Sequence, residues 1–247
     1  MAAPTIVFVP GAWHGPEAFD AVRKDLDTRG YPTSAVSLPS VGTNDSSVAI
    51  AADTAAVRAE LESLVNEGKD VVLVVHSYGG IPGSNAVRGL SKAERSDAKG
   101  SVLMVVYMAA FAIPAGTCLL DGLGGQHLPW WDIQNGFVRP KTPVDIFYAD
   151  VDPELAAKTA ATLLPEPWAI FTDKCEYEPW KHGIVVGYIF AEDDSALLLE
   201  AQKGMASQFP EGSYTASLAA SHSPFLSMPK KLGEAIEGAA KHAVVNV

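Results

Sequence analysis

Hydrophobic and polar positions alternate along this chain in two rhythms. Short apolar runs rich in β-branched residues recur at 5–9, 32–38, 70–75, 101–107 and 184–190, with a weaker one at 213–218. Near-continuous runs of that length suit strands buried on both faces. Between them, apolar residues are spaced three and four apart. Phe19, Val22 and Leu26 share one face of a helix expected over 17–29. Val57, Leu61, Leu64 and Val65 share one face of a longer helix over 48–65. Helices over 196–208 and 230–244 are expected to close the chain. Strands alternating with helices predict an α/β architecture, a mostly parallel sheet with helices on both faces.

The alternation lapses between about 112 and 181. That stretch holds eight of the 17 prolines and four of the five tryptophans, with one clear helical pattern over 153–163. A structureless connection of that length is unusual within a compact domain. The expected organisation is therefore a core of residues 1–111 and 182–247, with 112–181 as an inserted cap. No internal repeat or low-complexity tract interrupts it.

Composition narrows the function. With 48% hydrophobic and 19% charged residues, the 247-residue chain is globular rather than disordered. A net charge of -11 repels phosphate backbones and anionic membranes, so neither nucleic acid nor membrane is an expected partner. Two cysteines, Cys118 and Cys175, provide neither a disulfide framework nor zinc-type spacing, and are expected as free thiols in a reducing compartment. Met1-Ala2-Ala3-Pro4 lacks the basic start of a signal peptide, and no apolar run reaches membrane-spanning length. These features lead to the expectation of a cytoplasmic protein, monomeric or homodimeric, acting on a small molecule without a metal or other cofactor.

The most informative stretch is Val71-Val72-Leu73-Val74-Val75-His76-Ser77-Tyr78-Gly79-Gly80. A buried strand runs into a serine closely followed by two glycines, then a helical pattern, the context that a GxSxG nucleophile elbow needs. Such a turn lifts the serine hydroxyl above the sheet at a strained backbone geometry and demands small neighbours. Gly79 meets that demand, whereas Val75 stands where the pattern usually has glycine. Gly80 gives the helix start more room. Ser77 is the candidate nucleophile, with the Tyr78 amide placed for a developing oxyanion. The loop Val9-Pro10-Gly11-Ala12-Trp13-His14-Gly15 follows the first strand, and its glycines permit a backbone that aims the Ala12 amide at the same point.

Pro10-Gly11-Ala12-Trp13-His14-Gly15 together with His76-Ser77-Tyr78-Gly79-Gly80 resembles the α/β-hydrolase superfamily. The match is to the branch of plant methylesterases, hydroxynitrile lyases and bacterial pyrethroid hydrolases. The resemblance implies the α/β-hydrolase fold and a chain order of serine, acid, histidine. It places the general base at His222, in Ala220-Ser221-His222-Ser223-Pro224-Phe225, after the last strand. Among the other histidines, His76 is expected to turn to the other side of its strand end, and His14 to line the pocket or hold the loop. His242 belongs to the last helix. The acid should follow the strand at 184–190, where Glu192, Asp193 and Asp194 are available. Counting from Tyr188 and back from Glu200-Ala201-Gln202 favours Asp194, with Asp193 as the alternative.

The implied chemistry is cleavage of an ester or lactone of an apolar small molecule through an acyl-enzyme. The branch's lyases carry a lysine after the catalytic histidine and a threonine in the oxyanion loop. Ser223 and Gly11 stand there, which disfavours cyanide chemistry. Ser77 excludes the aspartate-nucleophile route of epoxide hydrolases and dehalogenases. A C–C bond hydrolase of diketones with the same triad, and a small-molecule receptor with little turnover, are the alternatives. Trp13, His14, Trp130, Trp131, Phe137, Phe147, Tyr148 and Trp168 are candidates for the substrate pocket, though for any single one of these aromatics packing the cap onto the core is the favoured role.

Overall fold

The computed structural model describes residues 2–95 and 100–246. Its centre is a sheet of β1 (Thr5–Val9), β2 (Thr33–Ala35), β3 (Val71–His76), β4 (Val102–Met108), β8 (Val185–Ala191) and β9 (Tyr214–Leu218). The intervening β5 (Trp131–Gln134), β6 (Phe137–Pro140) and β7 (Glu166–Pro167) form a separate antiparallel sheet. The large sheet has the order β2-β1-β3-β4-β8-β9, and every pairing in it is parallel.

Burial explains the unbroken apolar runs. Strands β1, β3 and β4 are buried at every position, and successive side chains enter opposite layers. Val7, Val9, Leu73, Val75 and Val105 join one core with α2 (Ile50–Asn66) and α3 (Gly80–Ala86). Ile6, Phe8, Val72, Val74 and Val106 join the other with α1 (Asp20–Thr28) and the long C-terminal helix Pro229–Asn246. Truncating a wholly buried leucine such as Leu61 costs about 2–5 kcal/mol in such cores.

Near the N-terminus, two expected elements are shorter than the sequence pattern suggests. The strand over 32–38 contracts to β2, an edge strand bonded only to β1; Val36 donates to Phe8 before Pro39 ends the ladder. The helix over 17–29 begins as a 3₁₀ turn, Pro16–Phe19, before α1.

Between β4 and β8 the chain adds, besides β5–β7, four short helices: α4 (Leu119–Gly122), α5 (Pro143–Phe147), α6 (Pro153–Ala160) and α7 (Ala169–Thr172). Helix α6 starts where the sequence anticipated, with Pro153 in its first turn and Asp152 capping the Glu154 and Leu155 amides. The remaining helices are α8 (Leu199–Ala206), α9 (Pro224–Ser227) and α10 (Pro229–Asn246). Cys118 and Cys175 are free and buried. Among the described residues, no helix is long and apolar enough to cross a membrane.

Strand order fixes where a site can form. β1 is followed outward by β2 on one side and by β3 on the other, so the chain direction across the sheet reverses at β1/β3. Loops leaving parallel strands at such a switch point diverge and leave a crevice at the carboxyl edge. The segment 10–15 leaves β1 there, and Ser77 leaves β3. Because all six strands are parallel, the segments after β8 and β9 emerge at the same edge.

Candidate active site

Ser77 opens a 3₁₀ turn between β3 and α3 with φ +51°, a left-handed conformation that costs an L-residue energy and persists only under tight packing. That packing is visible at the two glycines. A Cβ on Gly79 would strike the carbonyl of Pro10 and sit 2.8 Å from that of Val9, and one on Gly80 would strike the carbonyl of Phe111. Val75 departs from the elbow pattern because the space it needs lies elsewhere. Its Cγ1 fills the volume that a side chain at Gly83 would occupy.

Asp194 and His222 meet after β8 and β9. His222 Nδ1 lies 2.7 Å from Asp194 Oδ2, and both residues are buried. The same carboxylate accepts the Ala196 and Leu197 amides at 2.7 and 2.9 Å on Oδ1, and Gln202 Nε2 at 3.3 Å on Oδ2. Four donor groups thus surround this one carboxyl group. The partner at Nδ1 places the neutral ring's proton there and leaves Nε2 a lone pair. The amide bonds to Asp194 also delay α8, which the sequence placed from Ala196 and which begins at Leu199. Asp193 and Glu192 are exposed.

Gln202 lies on α8 and donates to the Asp194 carboxylate. It is fully buried, accepts the Ala191 amide at 3.0 Å, and donates to the Ala191 and Leu197 carbonyls at 3.0 and 2.7 Å. Gln202→Leu is expected to destabilise the fold by about 2–3 kcal/mol, since these backbone groups become unpaired. Chemical denaturation at constant m-value measures the loss.

Ser77 and His222 line the same pocket, joined by Ala12, Trp13 and Tyr78. Among the described residues Ala12 N has no hydrogen-bond partner, while the next amide, Trp13 N, donates to Glu166 at 2.7 Å. No direct hydrogen bond joins Ser77 Oγ to His222 here; such bonds often tighten only when substrate is bound. The remaining lining is apolar, from Phe111, Leu119, Leu128, Trp130, Trp131, Phe147 and Phe171 among others. The open space is about 30 Å³, room for about two waters.

Of the aromatic residues expected around a substrate, Trp13, Trp130, Trp131 and Phe147 border this pocket. His14, Phe137, Tyr148 and Trp168 do not border it. His14 Nδ1 lies 2.7 Å from the Ala12 carbonyl, to which it donates, and Tyr148 OH donates to Nε2 at 2.7 Å. Burial lowers the His14 pKa to about 4, so the ring is neutral and ties the segment 12–14 to Tyr148. Trp168 packs behind Trp131 and Phe171, at 6.1 and 6.3 Å between ring centroids. Phe137 lies on β6. Phe171 and the leucines escaped sequence reasoning because apolar residues in an irregular segment carry no periodic sign of what they face.

His76 turns onto the backbone of His222, donating Nε2–H to its carbonyl at 2.9 Å, with ring centroids 4.6 Å apart. Burial depresses its pKa, as do the charges of His222 and His14 when protonated, so the ring stays neutral. Among the described residues, no group of three or more His, Cys, Asp or Glu is placed to hold a metal ion.

Comparison with known proteins gives a concordant picture. A family model described as "Alpha/beta hydrolase family" matches residues 6–235. An alpha/beta hydrolase of Aspergillus novofumigatus is 30% identical over 253 residues, covering 99% of each chain. Methylesterase 7 of Arabidopsis thaliana is 25% identical, covering 92% of each. The crystal structure of a pyrethroid hydrolase from Sphingobium faniae JZ-2 superposes with a TM-score of 0.79 at 23% identity, covering 96% of this chain and 97% of that one.

Proposed function

The chain belongs to the alpha/beta hydrolase family, and from that premise we propose that it is a serine hydrolase cleaving a carboxylic ester or lactone of an apolar small molecule. The observation that carries this reading is the convergence of Ser77 and the Asp194-bonded His222 on one apolar pocket at the sheet's switch point. Residues 112–181 act as the cap that supplies most of the apolar lining.

In the proposed mechanism Ser77 Oγ attacks the substrate carbonyl carbon as His222 Nε2 takes the hydroxyl proton. Asp194 holds the ring in that tautomer and stabilises the imidazolium. The carbonyl oxygen, now negative, is held by the Ala12 and Tyr78 amides, each such donor contributing about 10²–10³ in rate. His222 returns the proton to the departing alcohol, leaving an acyl group on Ser77. Water activated by the same nitrogen then releases the acid. The relative named as a methylesterase supports the substrate class. A lyase reading is disfavoured by Gly11, since a Cβ there would sit 2.8 Å from both His76 Nδ1 and Ser77 Cβ.

A fluorophosphonate probe tests the nucleophile. Mass spectrometry is expected to find one adduct, on the peptide containing Ser77, with loss of turnover in proportion. A screen of aryl esters, lactones and β-diketones then assigns the bond: steady ester or lactone turnover is expected. Diketone cleavage alone would instead indicate a C–C hydrolase. A single burst followed by a stable adduct would indicate a receptor.

A further inference from the structure

A buried cluster beside the pocket holds two carboxyl groups that the mechanism above leaves unused. Asp53, in the first turn of α2, and Glu166, on β7, are both fully buried. Ser40 lies between them, its Oγ 2.7 Å from Asp53 Oδ2 and 2.8 Å from Glu166 Oε1. Asp53 also accepts the Ser40 amide at 2.9 Å and the Tyr78 hydroxyl at 2.7 Å. Glu166 Oε2 accepts the Trp13 amide at 2.7 Å. The cluster thus grips both segments that supply the oxyanion amides: the loop of Ala12 and Trp13, and the turn of Tyr78.

Counting protons shows that one of the two carboxyl groups, both raised in pKa by burial, carries a proton, and the donors around each decide which. One serine hydroxyl carries one proton and cannot donate to two carboxylates. Asp53 already receives Ser40 N–H and Tyr78 O–H, and the Ser40 hydroxyl proton as a third donor satisfies it as an anion. Glu166 has only the Trp13 amide. With the Ser40 proton committed to Asp53, which has the more donors, the contact between Ser40 Oγ and Glu166 Oε1 is a hydrogen bond in which Glu166 carries its own proton and donates it to Ser40. We propose that Glu166 is a positioning residue for the oxyanion hole, held as a neutral carboxylic acid that bridges Trp13 and Ser40 and so fixes the Ala12 and Tyr78 amides.

The surroundings agree. Asp53 from α2, Tyr78 from the elbow and Asp173 beyond α7 are the titratable groups facing the cluster, and none is a cation. On the paired strand β6, Arg139 is exposed. Burial, with the Asp53 charge adding to it, raises the Glu166 pKa to about 8. Ionisation would leave two buried carboxylates competing for one hydroxyl. The Ser40–Glu166 link would then be lost, and with it the tie between Trp13, strained at φ +68° and held at its amide by Glu166, and the Asp53–Tyr78 side of the cluster. Glu166 has a folded pKa above its unfolded value of about 4.5, so the folded state holds a proton the unfolded state lacks between those values. Its contribution to stability therefore declines as pH rises from about 4.5 to about 8.

This role rests on the serine-hydrolase reading, so the test has one arm that does not need turnover. Infrared spectra of protein labelled with ¹³C at glutamate carboxyls are expected to show an un-ionised carboxylic acid band at pH 7. The band should shift with the label, vanish as pH passes about 8, and be missing from Glu166→Gln. No such band at pH 7, or one that ignores the glutamate label, overturns the proposal whether or not the protein turns over esters. In the second arm, kcat for p-nitrophenyl acetate is expected to fall about tenfold between pH 7 and pH 9 in the wild type. Glu166→Gln keeps a donor for Ser40 and an acceptor for Trp13 but cannot ionise, so its ratio of kcat at pH 9 to pH 7 should stay near one. An unchanged alkaline limb in that variant overturns the positioning role. Should the variant not fold, the isotope-labelled titration of the wild type still decides where the proton sits.

Discussion

Ser77→Ala is expected to lower kcat for aryl-ester hydrolysis by at least about 10⁴-fold while leaving the fold intact. The size follows from the way a triad works: without the attacking oxygen, only the oxyanion amides and substrate binding remain to accelerate the reaction. Stability should change little. Ser77 is partly exposed at the pocket and takes its positive φ from surrounding packing, not from its hydroxyl. Alanine pays the same backbone strain and removes no buried hydrogen bond. The paired measurement is a single-turnover assay and a thermal melt, with the midpoint moving by less than about 2 °C. Retained turnover in a well-folded variant would take Ser77 out of the chemistry.

Asp194→Asn carries the second large effect, about 10³–10⁴ in kcat. An amide can still accept the Ala196 and Leu197 backbone donors, so the local turn survives. It cannot offer a negative charge to the His222 ring, and its N–H₂ facing Nδ1 favours the tautomer with the proton on Nε2, the wrong nitrogen for a base. Asp193→Asn, at an exposed neighbouring position, is expected to change kcat by less than about twofold. Comparing the two variants separates adjacent carboxylates that the sequence leaves in competition; the opposite ranking would move the role to Asp193.

The narrow pocket bears on both measurements. The open space of about 30 Å³ is smaller than an aryl ester, so binding one is expected to displace the aromatic lining from Trp130 and its neighbours. Substitutions there are expected to appear chiefly in KM, whereas those at Ser77 and Asp194 appear in kcat.

Much of this molecule was legible from residue order. A strand buried on both faces needs an unbroken apolar run, and Val71–His76 and Val102–Met108 show one. An elbow needs a small residue wherever a carbonyl approaches, and Gly79 and Gly80 satisfy that within four residues of Ser77. Both are local demands, so they leave local marks. The edge strand β2 was overextended because an apolar run does not say how many neighbours its backbone will find. The choice between Asp193 and Asp194 rested on counting, and burial separates them: one is exposed and the other accepts four donors.

The sequence by itself determined the α/β alternation, the elbow with Ser77, and the succession of segments from which a site could be assembled. The tertiary structure alone decided that Glu166 meets Ser40 across 126 positions, that Gln202 braces Asp194, and that Phe171 faces the pocket. The physical reason is range. Burial and turn strain act on a residue and its immediate neighbours and so constrain which residues appear side by side. A hydrogen bond between distant segments constrains only two single positions, and a lone glutamate, serine or glutamine in a sequence carries no sign of the partner that folding will bring to it.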